Sequence, residues 1–307
     1  MASFYSFKPV SGAESIIING ASMGTFYKII IAPQKKHDLA YVNYLSKIIK
    51  NRLDDLDQQM STFKPSSLIS QFNNQKNLEK FFVSKEIIKV VSLAYEIYNL
   101  SDHAFNIALD PLIDLWGFDK SGRRQAPPSQ EEIKQALSNT ELSGLIIGDN
   151  FLQKTNPNLS INLSGIAKGF IVDEVANLLK EQELDNFLIE IGGEIVASGQ
   201  NFNKPWAIGI EDPHNIGEIS KVVELTNQAI ASSGAYINYF TDKDGGKYTH
   251  IINPNTGHPV KNAPPGISIL APTCMLADAL ATACMLLDKF ACGNLVGKFA
   301  NTKLLSD

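Results

Sequence analysis

The spacing of the β-branched runs constrains this chain most. Phe187 to Ile191, Ile195 to Ala197, Trp206 to Ile210 and Val222 to Thr226 are short apolar runs that follow one another with turn residues, and no helical stretch, between them. Consecutive strands without a crossover helix cannot build the βαβ units of a doubly wound parallel sheet. Lys247 to Ile252 and Gly266 to Leu270 extend this strand-rich half. Ser15 to Asn19 and Phe26 to Ile31 read as strands around a turn from Gly20 to Gly24, and Leu145 to Gly148 and Leu159 to Leu163 as two more. Helical spacing lies elsewhere. Asp38 to Leu56 places Leu45, Ile48, Ile49, Leu53 and Leu56 on one face, and Ser84 caps a helix to Leu100. Asp119 to Ser129, rich in Gly, Arg and Pro, is a surface loop leading into Gln130 to Leu137, capped by Ser129. Ala167 to Glu183 is amphipathic and Ala277 to Leu287 is apolar. With no repeat and no low-complexity linker, the order predicts an α+β fold. It predicts a single integrated domain of mixed strands and helices over 15–307, with 1–14 as an N-terminal extension.

Composition bounds the function. Of 307 residues, 44% are hydrophobic and 19% charged, enough for a sizeable core and unlike a disordered chain. The net charge of -5 argues against nucleic acid as the main partner, because a phosphate backbone requires a basic face. No apolar run approaches the roughly 18 residues that span a bilayer. The first dozen residues lack a basic start followed by an apolar stretch, and no Cys stands there to carry a lipid. The expectation is a cytoplasmic protein, or a periplasmic one if a leader has been removed. Cys274, Cys284 and Cys292 form no C-x-x-C pair and are expected as reduced, partly buried thiols.

Familiar catalytic motifs are absent: no G-x-x-x-x-G-K-[ST], no G-x-G-x-x-G, no H-E-x-x-H and no G-x-S-x-G. Three other segments could carry chemistry. Ser164 to Gly169 opens a helix, where unpaired N–H groups and Lys168 suit an anionic phosphate, although a plain strand-to-helix turn uses the same residues. Asp278 and Thr282 stand four apart on an apolar helix and share a face. A carboxylate there needs a cation or donors, and a hard cation such as Mg²⁺ accepts both groups; a hydrogen-bonded pair is the other reading. His250 ends a strand beside the Pro/Gly turn Asn253 to Pro259, where a near-neutral pKa suits proton transfer, while a purely hydrogen-bonding histidine also fits.

In order along the chain stand Met23-Gly24-Thr25, Pro111 to Phe118, Gly165 to Gly169, Ile191-Gly192-Gly193-Glu194, Ser232-Ser233-Gly234, His250-Ile251-Ile252 and Ala277 to Thr282. Together these segments resemble the FAD:protein FMN transferases, the ApbE-type flavin transferases, over nearly the whole chain. The resemblance implies an ApbE-like fold and Mg²⁺-dependent transfer of FMN from FAD to a Ser/Thr hydroxyl of an acceptor flavoprotein, with release of AMP. It further implies Mg²⁺ held by Asp278, Thr282 and the carbonyl of Ala167, with His250 as the base. Met23, Ala104, Phe105, Asn106, Asn162 and Lys168 would line the flavin nucleotide. Alternatives of the same ancestry are an FAD pyrophosphatase giving FMN and AMP, or a catalytically impaired FAD-binding protein. The chain departs from the family pattern in having Asn at 106, 162 and 253, where the family usually has Asp, and Ala at 235, where Asp is frequent. Asn keeps the shape of Asp without its charge. In particular, Asn253 offers His250 no carboxylate. The family also commonly continues into a strand after the last helix, and only Asn301 to Asp307 remains here for one.

Overall fold

The structure, a computed structural model, describes residues 3–4, 14–118, 122, 124, 126–215, 217–235, 238–243, 245–261 and 263–305. Most of the expected extension at 1–14, and part of the loop at 119–129 including Arg123, lie outside the described residues.

Seven strands form the central sheet: β1 (Ile16–Ser22), β2 (Thr25–Ile31), β3 (Phe187–Ile191), β4 (Glu194–Ser198), β5 (Gln228–Gly234), β6 (Gly266–Ala271) and β7 (Lys303–Leu304). They lie side by side in chain order, each antiparallel to the next. No neighbouring strands of this sheet are parallel, so it contains no βαβ unit, and the α+β expectation holds. The β1–β2 turn is tighter than the sequence suggests. Only Met23 and Gly24 lie outside the strands, at φ 52° and 70°, the left-handed pair that a two-residue hairpin uses. Gly20 instead stays in β1, opposite Tyr27, whose ring takes the space of a side chain there.

The helices are α1 (Leu39–Met60), α2 (Leu68–Asn74), α3 (Lys85–Leu100), α4 (Asp110–Leu115), α5 (Gln130–Leu137), α6 (Ala167–Glu181), α7 (Cys274–Cys284) and α8 (Lys289–Val296). Of these α1, α6 and α7 pack on one face of the sheet, while α4 and α5 close a separate apolar cluster with Phe240 and Ile252. The predicted apolar face of α1 is the one buried, at Leu45, Ile49, Leu53 and Leu56. Asp38, Ser84 and Ser129 each accept the amide three residues on, and Glu132 returns the bond to complete a capping box at Ser129. The other face of the sheet packs Leu188, Ile195 and Ile230 against Trp206, Ile208 and Leu225. These last belong to a small sheet of Ser3–Phe4, Trp206–Glu211 and Ile219–Leu225. Among the described residues no helix is long and apolar enough to cross a membrane.

Four expectations change. Leu159 to Leu163 forms no strand, because at its centre a side chain stands in for the neighbouring strand. The Asn73 amide donates to the Ile161 carbonyl and accepts from its N–H, each at 2.8 Å. The apolar helix begins three residues early, at Cys274, where Thr273 supplies the cap. Cys284 and Cys292 are joined in a disulfide, not free: the turn from α7 into α8 brings their Cα atoms to 5.0 Å, within bonding reach, and only Cys274 remains a buried thiol. Lys303–Leu304 does form a strand after the last helix, pairing with β6 as the sheet's edge.

α6 and α7 cross closely enough that a Cβ on Gly169 would fall 2.6 Å from the Cys274 carbonyl carbon. Asp173 of α6 accepts both the Cys274 and Met275 amides, at 2.8 and 2.9 Å, and so caps α7 from outside.

Candidate active site

A cavity of about 420 Å³ opens where the N-terminus of α6, the ends of β4 and β5, and α7 meet. Of the residues singled out in the sequence, Ala104, Phe105, Asn106, Asn162, Lys168, His250, Asp278 and Thr282 all line it. Met23 and Ala167 do not. Met23 sits partly buried at the β1–β2 turn, packed on the main core, and Ala167 is buried in the first turn of α6.

Asp278 is 3% exposed on a helix of small residues, and its Oδ2 accepts the Gly169 amide at 2.9 Å. Thr282, one turn on, places its hydroxyl 3.4 Å from the Gly165 carbonyl and 3.4 Å from Ser233 Oγ. The Gly165 carbonyl therefore stands beside the Thr282 hydroxyl. Gly165 has no side chain for a reason: a Cβ there would lie 3.0–3.1 Å from the Thr282 methyl and hydroxyl. Among the described residues no group of three His, Cys, Asp or Glu side chains could hold a metal. One carboxylate with a hydroxyl and a carbonyl oxygen suits a hard cation that keeps water or phosphate oxygens, not a zinc-type site.

Lys168 projects from the first turn of α6 into an ion pair with Glu194 of β4. Glu194 is 2% exposed, and among the described residues its second oxygen has no hydrogen-bond partner. Burial pushes its pKa up to about 7, with Asp278 adding to the rise and Lys168 opposing it. Burial also raises Asp278, against the pull of Lys168 and the Gly169 amide. For Lys168 burial disfavours the charge, but the two carboxylates outweigh it and raise the ammonium's pKa. The floor of the cavity thus holds a cation between two acids, with the Lys168 side chain one-third open.

His250 packs edge-on to Phe118, and its Nδ1 lies 3.1 Å from the Asn238 carbonyl. A carbonyl only accepts, so Nδ1 carries the proton and Nε2 keeps the lone pair. Burial lowers the ring's pKa, with Lys168 adding to the fall and the Asn238 bond opposing it. Asn253, whose family counterpart is usually acidic, does not orient His250. Its Oδ1 instead accepts the Asn255 and Thr256 amides and closes the turn. Asn106 and Asn162 likewise build walls: Asn106 caps Ala108 and holds the Thr140 carbonyl, and Asn162 accepts the Ser164 amide.

Sequence reasoning passed over Phe63, Gly165, Glu194, Ser233 and Asn238 as site residues. Gly165, Glu194 and Ser233 carried a signal, because all three stand in Gly-punctuated segments of the sequence. Phe63 and Asn238 carried none.

The ApbE family model matches residues 23–303. The FAD:protein FMN transferase of Vibrio cholerae is 38% identical over 277 residues, covering 90% of this chain and 82% of the relative. That of Escherichia coli K12 is 31% identical over 280 residues, covering 89% and 79%. The solved flavin transferase ApbE from Vibrio cholerae superposes with a TM-score of 0.85 at 34% identity over 95% of this chain and 93% of that one. The apo flavinyl transferase ApbE of Pseudomonas stutzeri gives 0.84 at 29% identity over 95% and 90%.

Proposed function

The chain belongs to the ApbE family, and from that premise we propose that it transfers FMN from FAD to a Ser or Thr hydroxyl of an acceptor flavoprotein and releases AMP. The relatives named as FAD:protein FMN transferases support a transferase that takes its flavin from FAD. One observation carries the finer reading: a neutral imidazole fixed by Asn238 shares a cavity with the Asp278, Thr282 and Gly165 oxygens and with Lys168.

In the reaction, the acceptor oxygen forms a bond to the FMN phosphorus as the bond to the AMP oxygen breaks. The hydroxyl proton passes to His250 Nε2, and AMP leaves with the electron pair of the broken bond. Transfer of this kind depends on alignment and on neutralising charge over the phosphate oxygens. Lys168, at a helix N-terminus, supplies positive charge for the pyrophosphate. Asp278, Thr282 and the Gly165 carbonyl would hold Mg²⁺, which when bound polarises phosphate oxygens. The low pKa of His250 keeps it unprotonated at neutral pH, as a base must be.

The test is incubation with FAD, Mg²⁺ and whole-cell protein from the encoding organism, followed by mass spectrometry. A protein heavier by FMN, with AMP in solution, is expected. Free FMN and AMP without a modified protein would make the enzyme a pyrophosphatase, and intact FAD would make it a binding protein.

A further inference from the structure

β5 runs past the end of its neighbour. β4 pairs with it only from Gln228 to Ile230, opposite Ile195–Ala197, because the chain ahead of Glu194 turns away at Gly192 and Gly193, with φ 63° and 105°. On the other side β6 pairs with β5 through to Gly234. Among the described residues no strand pairs with Ser232, Ser233 and Gly234 on the β4 side. Strand residues direct their N–H and C=O groups to alternate edges, so this stretch presents main-chain donors and acceptors to the open side.

The open edge lies at the reacting centre. Ser233 Oγ is 3.4 Å from Thr282 Oγ1. Gly192 and Ser232 to Gly234 line both the catalytic cavity and a second groove of about 510 Å³. Ile210, Pro213, Ile267 and Leu287 stand in that groove and not in the cavity.

We propose that the acceptor hydroxyl enters on an extended polypeptide segment that docks as an added strand against Ser232–Gly234, with its flanking residues in the adjoining groove. This rests on the transferase reading. An unpaired sheet edge recognises main chain, which a polypeptide offers in a repeating row and a flavin nucleotide does not. Side chains of an added strand alternate between two faces. One hydroxyl can therefore be directed into the cavity while its neighbours cover apolar wall. The segment would be recognised largely through its backbone, with a preference for apolar residues beside the acceptor.

Three readings test this. Short peptides, each with one central Ser or Thr, and whole-cell protein from the encoding organism are incubated separately with enzyme, FAD and Mg²⁺, and flavin attachment is followed by mass. Both are expected to be labelled. Labelled protein with no labelled peptide overturns the docking proposal and leaves the transferase reading standing, whereas labelling of neither removes that reading itself. Next, the best peptide is remade with N-methyl groups on the amides flanking the hydroxyl, and labelling should fall by about tenfold or more because the ladder bonds are lost. Finally, Gly266→Phe should fill the groove. Gly266 has no left-handed φ, and a Cβ there makes an ordinary 3.4 Å contact with Pro213, so Gly266→Ala serves as the folding control. The Phe variant should raise the peptide KM by about tenfold while FAD affinity, read by flavin fluorescence, stays unchanged. Equal labelling of native and N-methylated peptide, or an unchanged peptide KM in a folded Gly266→Phe, would overturn the added strand and the groove respectively.

Discussion

The Asp278 carboxylate on α7 accepts the Gly169 amide of α6 at 2.9 Å, so the acid of the site closes the first turn of the helix that presents Lys168. The bond is returned four residues along α6, where Asp173 accepts the Cys274 and Met275 amides at the start of α7. Helix N-termini leave amides unpaired, and here each helix satisfies those of the other. The N-terminal turns of α6 and α7 are thereby locked into one crossing.

That crossing depends on Gly169. In Gly169→Ala the new Cβ would fall 2.6 Å from the Cys274 carbonyl carbon and 2.8 Å from Asp278 Cβ, and two backbones cannot yield as a flexible side chain would. Urea denaturation should show a loss of roughly 1–3 kcal/mol. FAD turnover should fall as well, because Asp278 must move. Unchanged stability together with unchanged turnover would mean that the crossing is looser than drawn.

Asp278→Asn separates charge from shape. Its amide oxygen can still accept the Gly169 N–H, so the thermal midpoint should stay near that of the native protein. A carboxylate ligand for a hard cation is lost, however. Turnover of FAD should drop by about a hundredfold or more, and calorimetric titration with Mg²⁺ alone should show weakened binding. Native Mg²⁺ affinity in the folded variant would remove Asp278 from the cation site.

His250→Gln should lower the transfer rate by about a hundredfold, the usual scale of a lost general base, with FAD affinity little changed. Equal losses in rate and affinity would assign His250 to binding. Burial depresses the ring's pKa below its ordinary 6.5. The native rate should therefore be flat through neutrality and fall only in acid, and the variant should lack that limb. Stability follows the same sign. Folding disfavours the protonated ring, so its contribution is present above about pH 6.5 and is lost as pH falls through the depressed value.

Much of this was legible in the sequence where local chemistry decides. The caps at Ser84 and Ser129 and the buried face of α1 follow from residue type and a 3.6-residue period. Lys168, His250, Asp278 and Thr282 stood in ordered motifs, Ala104, Phe105, Asn106 and Asn162 were implied by the resemblance, and all eight line one cavity. What escaped depends on distant partners. Leu159 to Leu163 alternates like a strand, yet Ile161 bonds the Asn73 side chain and the Asn162 amide donates to the Ile107 carbonyl, so no neighbouring strand is involved. β5 has a single β-branched residue, Ile230, among Gln, Ala, Ser and Gly, and so lacks the bulk that marks a strand in sequence. The orienting partner of His250 is a main-chain carbonyl, which every residue possesses and no motif can flag. For that reason the absence of an acid at Asn253 says little about whether the base is poised.

Lys154 gives a stability prediction away from the active site. It is 1% exposed, and its ammonium donates to the Asn73 and Gln75 carbonyls, at 2.9 and 3.1 Å, where α2 ends. Carbonyls at a helix C-terminus favour a cation, but they carry no full charge to offset its burial. Burial, aided by Lys76 and opposed by Asp110, lowers the pKa to about 8. The unfolded chain then binds this proton more tightly than the folded one between about pH 8 and 10.5, so stability should rise with pH across that window. The shift caps the gain at about 3 kcal/mol, of which roughly 1–2 kcal/mol should appear by pH 9.5. Lys154→Met removes the titrating group, so its unfolding free energy should lack this rise, although the two carbonyls lose their donor and the variant should be weaker at pH 9.5. Parallel pH profiles for the two proteins in urea would show that Lys154 stays charged when buried.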